Sequence, residues 1–208
     1  MKATDPIDAT IVRIREGGTI RELDYNGAMT AHMGSLWWGT AVGYRAMQAA
    51  AKALSTEELW SRDDLYVVGA HPGPGVRDAI DYVTDTVRRD RYKVLLADKC
   101  GMKCNSTMKF EWWVSDGRRT ATIRLRDGFV PRDFYALSDR LGTDAESEED
   151  RILFEISKVN LSARIWSLPL DRSFTVTMSA VALEPGELPA EMQRADYWKE
   201  LDVGVAAS

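Results

Sequence analysis

Cysteine and histidine are scarce: 208 residues hold two of each, Cys100, Cys104, His32 and His71. Two cysteines four positions apart rule out a secreted disulfide framework and leave a pair of soft ligands, a redox pair or two reduced thiols. No apolar run approaches the roughly 20 residues that span a bilayer, so no membrane association is expected. The N-terminal stretch MKATDPIDAT lacks the apolar centre of a signal peptide, and the expected compartment is the cytoplasm. Lys and Arg are interspersed with Asp and Glu at a net charge of −5, without the basic stripe that a phosphate backbone requires, so nucleic acid is not an expected partner. There is no Gly-x-Ser-x-Gly, P-loop or dinucleotide fingerprint, and Gly17-Gly18 reads as a hairpin turn.

Tryptophan, by contrast, is abundant: seven residues, with doublets at Trp37-Trp38 and Trp112-Trp113. Each carries a large apolar face and a single donor, which suits cavity walls as well as cores. At 45% hydrophobic and 28% charged residues the chain can bury one sizeable core. Residues 10–15 and 19–23 flank Glu16-Gly17-Gly18 as a hairpin. Small and apolar residues at Leu36, Gly39, Gly43, Met47, Ala50 and Leu54 predict a closely packed helix over 36–54. A buried strand over 65–68 leads through the stiff loop Gly69-Ala-His-Pro-Gly-Pro-Gly75 into a helix with the stripe Val76, Ile80, Val83 and Val87. A strand over 93–97 enters the cysteine loop. Residues 110–114 and 120–125 form a second hairpin around Asp116-Gly117. Pro131 opens a helix to about Leu141. Ser147 caps a longer helix with apolar positions Ile152, Ile156, Val159 and Ala163. Residues 174–182 alternate as a strand, 184–189 read as a linker, and 190–201 as a short amphipathic helix with Tyr197 and Trp198. The division expected is an N-terminal hairpin extension (1–27), an α+β domain (28–183), and a linker with C-terminal helix (184–208). Without a strict βαβ alternation, α+β with a mixed or antiparallel sheet is favoured over a doubly wound sheet.

Four segments, in order, resemble the formylmethanofuran dehydrogenase E-subunit family. Gly39-Thr-Ala-Val-Gly-Tyr-Arg-Ala46 resembles the helix entry after the family's His-Gly-His-x-Cys-Pro-Gly motif. Gly75-Val-Arg-Asp-Ala-Ile80 resembles its Cys-x-x-Asp-Ala-Ile. Lys103-Cys-Asn105, followed by Lys109-Phe-Glu-Trp112, resembles its Gly-Lys-Gly-Asn loop and next strand. Leu168-Pro-Leu-Asp-Arg-Ser-Phe-Thr-Val176 resembles its closing segment. The resemblance implies an α+β fold, a homodimer and, in many members, zinc; some members accompany molybdenum or tungsten formylmethanofuran dehydrogenase. The family's metal motif falls here on Met33-Gly-Ser-Leu-Trp-Trp38, and its second cysteine on Gly75. Met, Ser and Trp cannot replace imidazole and thiolate toward zinc.

The remaining candidates lie in the segments that the resemblance gathers around one cleft. His32, His71, Cys100 and Cys104 are candidate ligands for zinc or a haem iron, in place of the lost set or with no cofactor at all. His71, Cys100, Cys104 and Asp78 are candidate catalytic residues, as a thiolate–imidazolium pair with Asp78 orienting His71 or acting as a base. Trp37, Trp38, Lys103, Asn105 and Lys109 are candidates for holding a small organic ligand, the lysines facing a carboxylate or oxyanion. Three functions follow: a metal-, haem- or small-ligand-binding protein of this family's type, an enzyme with a repurposed aromatic-lined cleft, and an interaction module docking through Trp198.

Overall fold

A computed structural model of the chain describes residues 10–32, 38–97 and 105–193, and the backbone of 197–201. The fold is α+β, with a mixed six-stranded sheet and a separate two-stranded one. The N-terminal hairpin pairs β1 (Val12–Glu16) with β2 (Thr19–Leu23). The turn uses Gly17 and Gly18, both at positive φ, where only glycine is unstrained. Val12 and Ile14 are buried in the main core, so this hairpin packs onto the body rather than standing off it. Helix α1 (Tyr25–Ala31) follows, capped by Asp24, which accepts from the Gly27 N–H.

Helix α2 (Trp38–Leu54) is the central helix, buried along most of its length. Its small residues permit close approach to α3 (Pro74–Thr84), as expected from their spacing. A Cβ at Gly43 would meet the Val76 carbonyl oxygen at 2.8 Å and Val76 Cα at 3.0 Å, both main-chain atoms that cannot swing aside. Gly43→Ala should therefore cost about 1–3 kcal/mol of unfolding free energy by overpacking. A urea titration checks this, the expected outcome being a lowered midpoint at unchanged slope.

The large sheet runs β7-β6-β5-β3-β4-β8. Its members are β3 (Tyr66–Gly69), β4 (Tyr92–Ala97), β5 (Glu111–Ser115), β6 (Thr120–Leu125), β7 (Phe174–Ser179) and β8 (Tyr197–Leu201). Only β3 and β4 are parallel, and α3 supplies the crossover between them. Thr84 ends α3, with Asp85 left-handed at its C-cap, so Val87 lies past the helix. The face of the sheet under α2 carries Val67, Val94, Leu96, Trp112 and Ile123. The opposite face carries Tyr66, Val68, Leu95 and Trp113 and is covered by Leu183, Leu188 and Met192. Residues 190–201, expected as a helix, instead make a short 3-10 turn at Ala190–Gln193 and the strand β8, antiparallel to β4. Met192, fully buried, belongs to the core, because the otherwise bare face of the sheet needs an apolar cover.

Two helices complete the layer over α2's side. Helix α4 (Arg132–Arg140) follows Pro131, and α5 (Glu148–Ser167) starts in a capping box between Ser147 and Asp150. Leu161 and Ile165 of α5 are buried, and Phe154 stacks on Phe134 of α4. Ile152, Ile156 and Val159 point outward instead. A short helix α6 (Leu170–Ser173) leads into β7. Arg45 of α2 ties this end together: it donates to Gln48 Oε1 and the Leu168 carbonyl and lies 5.0 Å from the centre of the Trp166 ring.

Candidate functional site

The C-terminal end of β3, the start of β5 and the first turns of α2 and α3 meet at one place. Gly69 closes β3 opposite Trp112 of β5. A Cβ at Gly69 would stand 2.9 Å from the Tyr92 hydroxyl and 3.3 Å from Trp112 Cδ1. Glycine there lets two large donors come together over bare main chain. The next residues, Ala70-His71-Pro72-Gly73, turn into α3, where Pro74 takes the first helical position.

His71 is buried in this turn, 4.4 Å from Phe110 and 6.4 Å from Trp112 between ring centres. Phe110 in turn lies 5.9 Å from Trp38, which stacks on Phe129 at 5.8 Å. The Gly73 N–H donates to His71 Nδ1 at 3.0 Å, so the ring proton of the neutral imidazole sits on Nε2. Burial pushes the His71 pKa down from 6.5 to about 3, because nothing compensates the imidazolium for lost hydration. In this geometry His71 offers a donor rather than a metal-binding lone pair.

A second imidazole sits at the other side of the helix starts. His32 Nδ1 donates to Asp78 Oδ2 at 2.6 Å, and Arg77 donates to Asp78 Oδ1 at 2.9 and 3.0 Å. Asp78 therefore serves His32 and Arg77 rather than the first-turn amides of α3. The carboxylate fixes the orientation of the imidazole through Nδ1, as carboxylates do for histidines that act as bases or metal ligands. His32 Nε2 lies 3.3 Å, and the Thr40 hydroxyl 3.0 Å, from where a Cβ at Gly75 would stand. The position at which the resemblance places a cysteine thus faces His32. Among the described residues no group of three or more His, Cys, Asp or Glu is arranged to hold a metal ion.

Five buried side-chain groups here have no hydrogen-bond partner among the described residues: Trp38 Nε1, Thr40 Oγ1, His71 Nε2, Tyr92 Oη and Trp112 Nε1. Each carries a proton to donate, and each left unpaired costs about 1–3 kcal/mol. Burial also raises the Tyr92 pKa well above the ordinary tyrosine value, so its hydroxyl keeps its proton.

Beyond Phe110 opens a cleft of about 750 Å³, lined by Met108, Lys109, Phe110, Arg126, Arg132 and Tyr135 among others. Glu111 and Arg124 pair within it, Nε to Oε1 at 2.9 Å. Lys109, Arg126 and Arg132 also line this cleft, together with the acidic Asp127, so cations outnumber carboxylates there.

Of the residues proposed from sequence, the structure brings His71 and Trp38 together through Phe110, and His32 with Asp78. Asn105 caps its own turn, its carbonyl oxygen accepting from the Thr107 N–H and hydroxyl. Lys109 lines the cleft. Trp37, Cys100, Lys103 and Cys104 lie outside the described residues. Thr40 and Tyr92 escape a reading of the sequence alone, and Trp112 stands out there only as part of a doublet. Tyr92 carries a usable signal, since the alternation Tyr92, Val94, Leu96 puts its ring on the core face of β4. Thr40 carries none, being one polar residue in a run of small ones. No family model and no curated protein matches the chain.

Proposed function

We propose that this protein, built on a scaffold of the formylmethanofuran dehydrogenase E-subunit type, binds a small planar organic molecule bearing a carboxylate or carbonyl group. The observation that carries this reading is the set of buried donors at Trp38, His71, Tyr92 and Trp112, beside aromatic walls, which have no partner among the described residues. An acceptor-bearing ligand would satisfy these donors, whose burial without a partner costs stability. The excess of cations over carboxylates in the neighbouring cleft, with Arg126 and Arg132 among them, would draw an anionic ligand toward Phe110, which lines the cleft and touches His71. The His32–Asp78 pair places an oriented imidazole beside α3, which favours proton transfer as a second activity of the site. A metal at His32 would need ligands beyond the described residues.

The test uses benzoate as probe, with benzylamine as the oppositely charged control of similar shape. Benzoate is expected to change tryptophan fluorescence saturably and to raise the melting temperature. Benzylamine should do neither, and Trp112→Phe should weaken the benzoate response at least tenfold. A flat benzoate titration, or equal responses to both probes, would remove the reading.

A further inference from the structure

Among the described residues, no Asp or Glu pairs with the guanidinium of Arg45, which is only 7% exposed in the middle of α2. Its bonds go to neutral acceptors, Gln48 Oε1 at 2.9 Å and the Leu168 carbonyl at 2.7 Å. These orient the group without cancelling its charge. Leu168 is the C-cap of α5, and a helix C-terminus contributes roughly half an elementary negative charge. The Trp166 ring adds an electron-rich face at 5.0 Å. About half of the positive charge therefore stays unanswered at a buried position, and Arg45 Nε has no hydrogen-bond partner. Arginine is rarely buried unless an anion pairs with it. Burial alone pushes the Arg45 pKa down, with no charged group opposing it.

Two more buried donors near it, Tyr25 Oη and Trp166 Nε1, also have no partner among the described residues. The Tyr25 ring lies 4.7 Å from Trp166 and 5.5 Å from Tyr44, the neighbour of Arg45 in α2. The Trp166 N–H is near enough to the Tyr25 oxygen to oppose the larger rise that burial gives the phenol's pKa, yet the two miss hydrogen-bond geometry. The middle of α2, the start of α1 and the end of α5 thus bring together a guanidinium, an indole and a phenol. All three donate and only the phenol accepts, a set that selects an anion over a cation. The rings of Tyr25, Tyr44 and Trp166 stand 4.7–6.2 Å apart, which limits the occupant to a few atoms. This cluster is separate from the donors around His71, because Arg45 follows Trp38 by seven residues, about 10 Å along the α2 axis.

We infer that Arg45, Tyr25 and Trp166 form a second binding site, which takes a small oxyanion of formate size as the counter-ion of Arg45. The test titrates sodium formate into the full chain and follows the melting temperature. The wild type should gain stability saturably, as expected for a ligand that binds only the folded state. Arg45→Met, of similar length and uncharged, should lose the saturable part and keep only the slope with salt that all variants share. Tyr25→Phe keeps its ring on a partly buried helix and should bind formate at least fivefold more weakly, which gives a reading even where Arg45→Met fails to fold. Equal formate dependence in the wild type and both variants, or in the wild type and Tyr25→Phe alone, overturns the inference. The chain enters this region at Thr10, whose carbonyl accepts from the Tyr44 hydroxyl at 2.6 Å, and Asp5 and Asp8 lie just before it in sequence. Replacing both by Asn should leave the formate response unchanged. A response that appears only in that double variant overturns the inference, since a carboxylate of this chain would then be the counter-ion.

Discussion

Between pH 6.5 and pH 3 the protein should lose about 1.4 kcal/mol of stability per pH unit through His71 alone. The folded pKa of this imidazole is pushed down to about 3 by burial, while in the unfolded chain it returns to about 6.5. Within that window the unfolded chain binds a proton that the folded chain does not, so acid favours unfolding. Above pH 6.5 neither state is protonated and the contribution is fully present. Below pH 3 both are protonated and the loss is complete. The control is His71→Asn, whose side-chain oxygen can still accept from the Gly73 N–H but cannot titrate. Its stability at pH 7 should fall by about 1–3 kcal/mol for the lost ring packing. The difference between wild type and variant should then shrink as pH falls from 6.5, because only the wild type carries this proton linkage. A difference that stays constant with pH would show that His71 is solvated or protonated in the folded state.

Much of the scaffold is legible in the sequence because local signals and the core agree. Gly17-Gly18 and Asp116-Gly117 mark turns that both close hairpins. The small-residue spacing from Gly39 to Ala50 foretells the close α2–α3 contact that Gly43 makes. Ser147 and Asp150 form the expected cap of α5. What escapes depends on long-range partners. Periodicity shows that Ile152, Ile156 and Val159 share a face but does not say whether that face meets the core. Residues 197–201 show a helical apolar spacing, yet the open edge of β4 recruits them as a strand, a tertiary choice that overrides local preference. At the site, the histidines, Trp38 and Asp78 stand out from their place in the chain. Tyr92 and Thr40 join only through the crossing of β4 and α2 over Gly69 and Gly75.

The second large effect concerns Tyr92, whose hydroxyl is buried without a partner among the described residues. A group that stabilised the fold would be expected to pair, and this one costs about 1–3 kcal/mol as it stands. Tyr92→Phe removes that oxygen and keeps the ring that packs in the core. The variant should therefore be more stable than the wild type by about 1 kcal/mol or more, and should bind benzoate at least tenfold more weakly. Few single substitutions raise stability, and those that do so at a binding site commonly cost function.

The measurement that bears most directly on the ligand site is the melting temperature of wild type and Tyr92→Phe, each with and without benzoate. The expected result is a higher melting temperature for the variant without benzoate, and a rise on adding benzoate in the wild type only. A variant that melts lower than the wild type and responds equally to benzoate would contradict the ligand site, since the hydroxyl would then hold the fold and not the ligand.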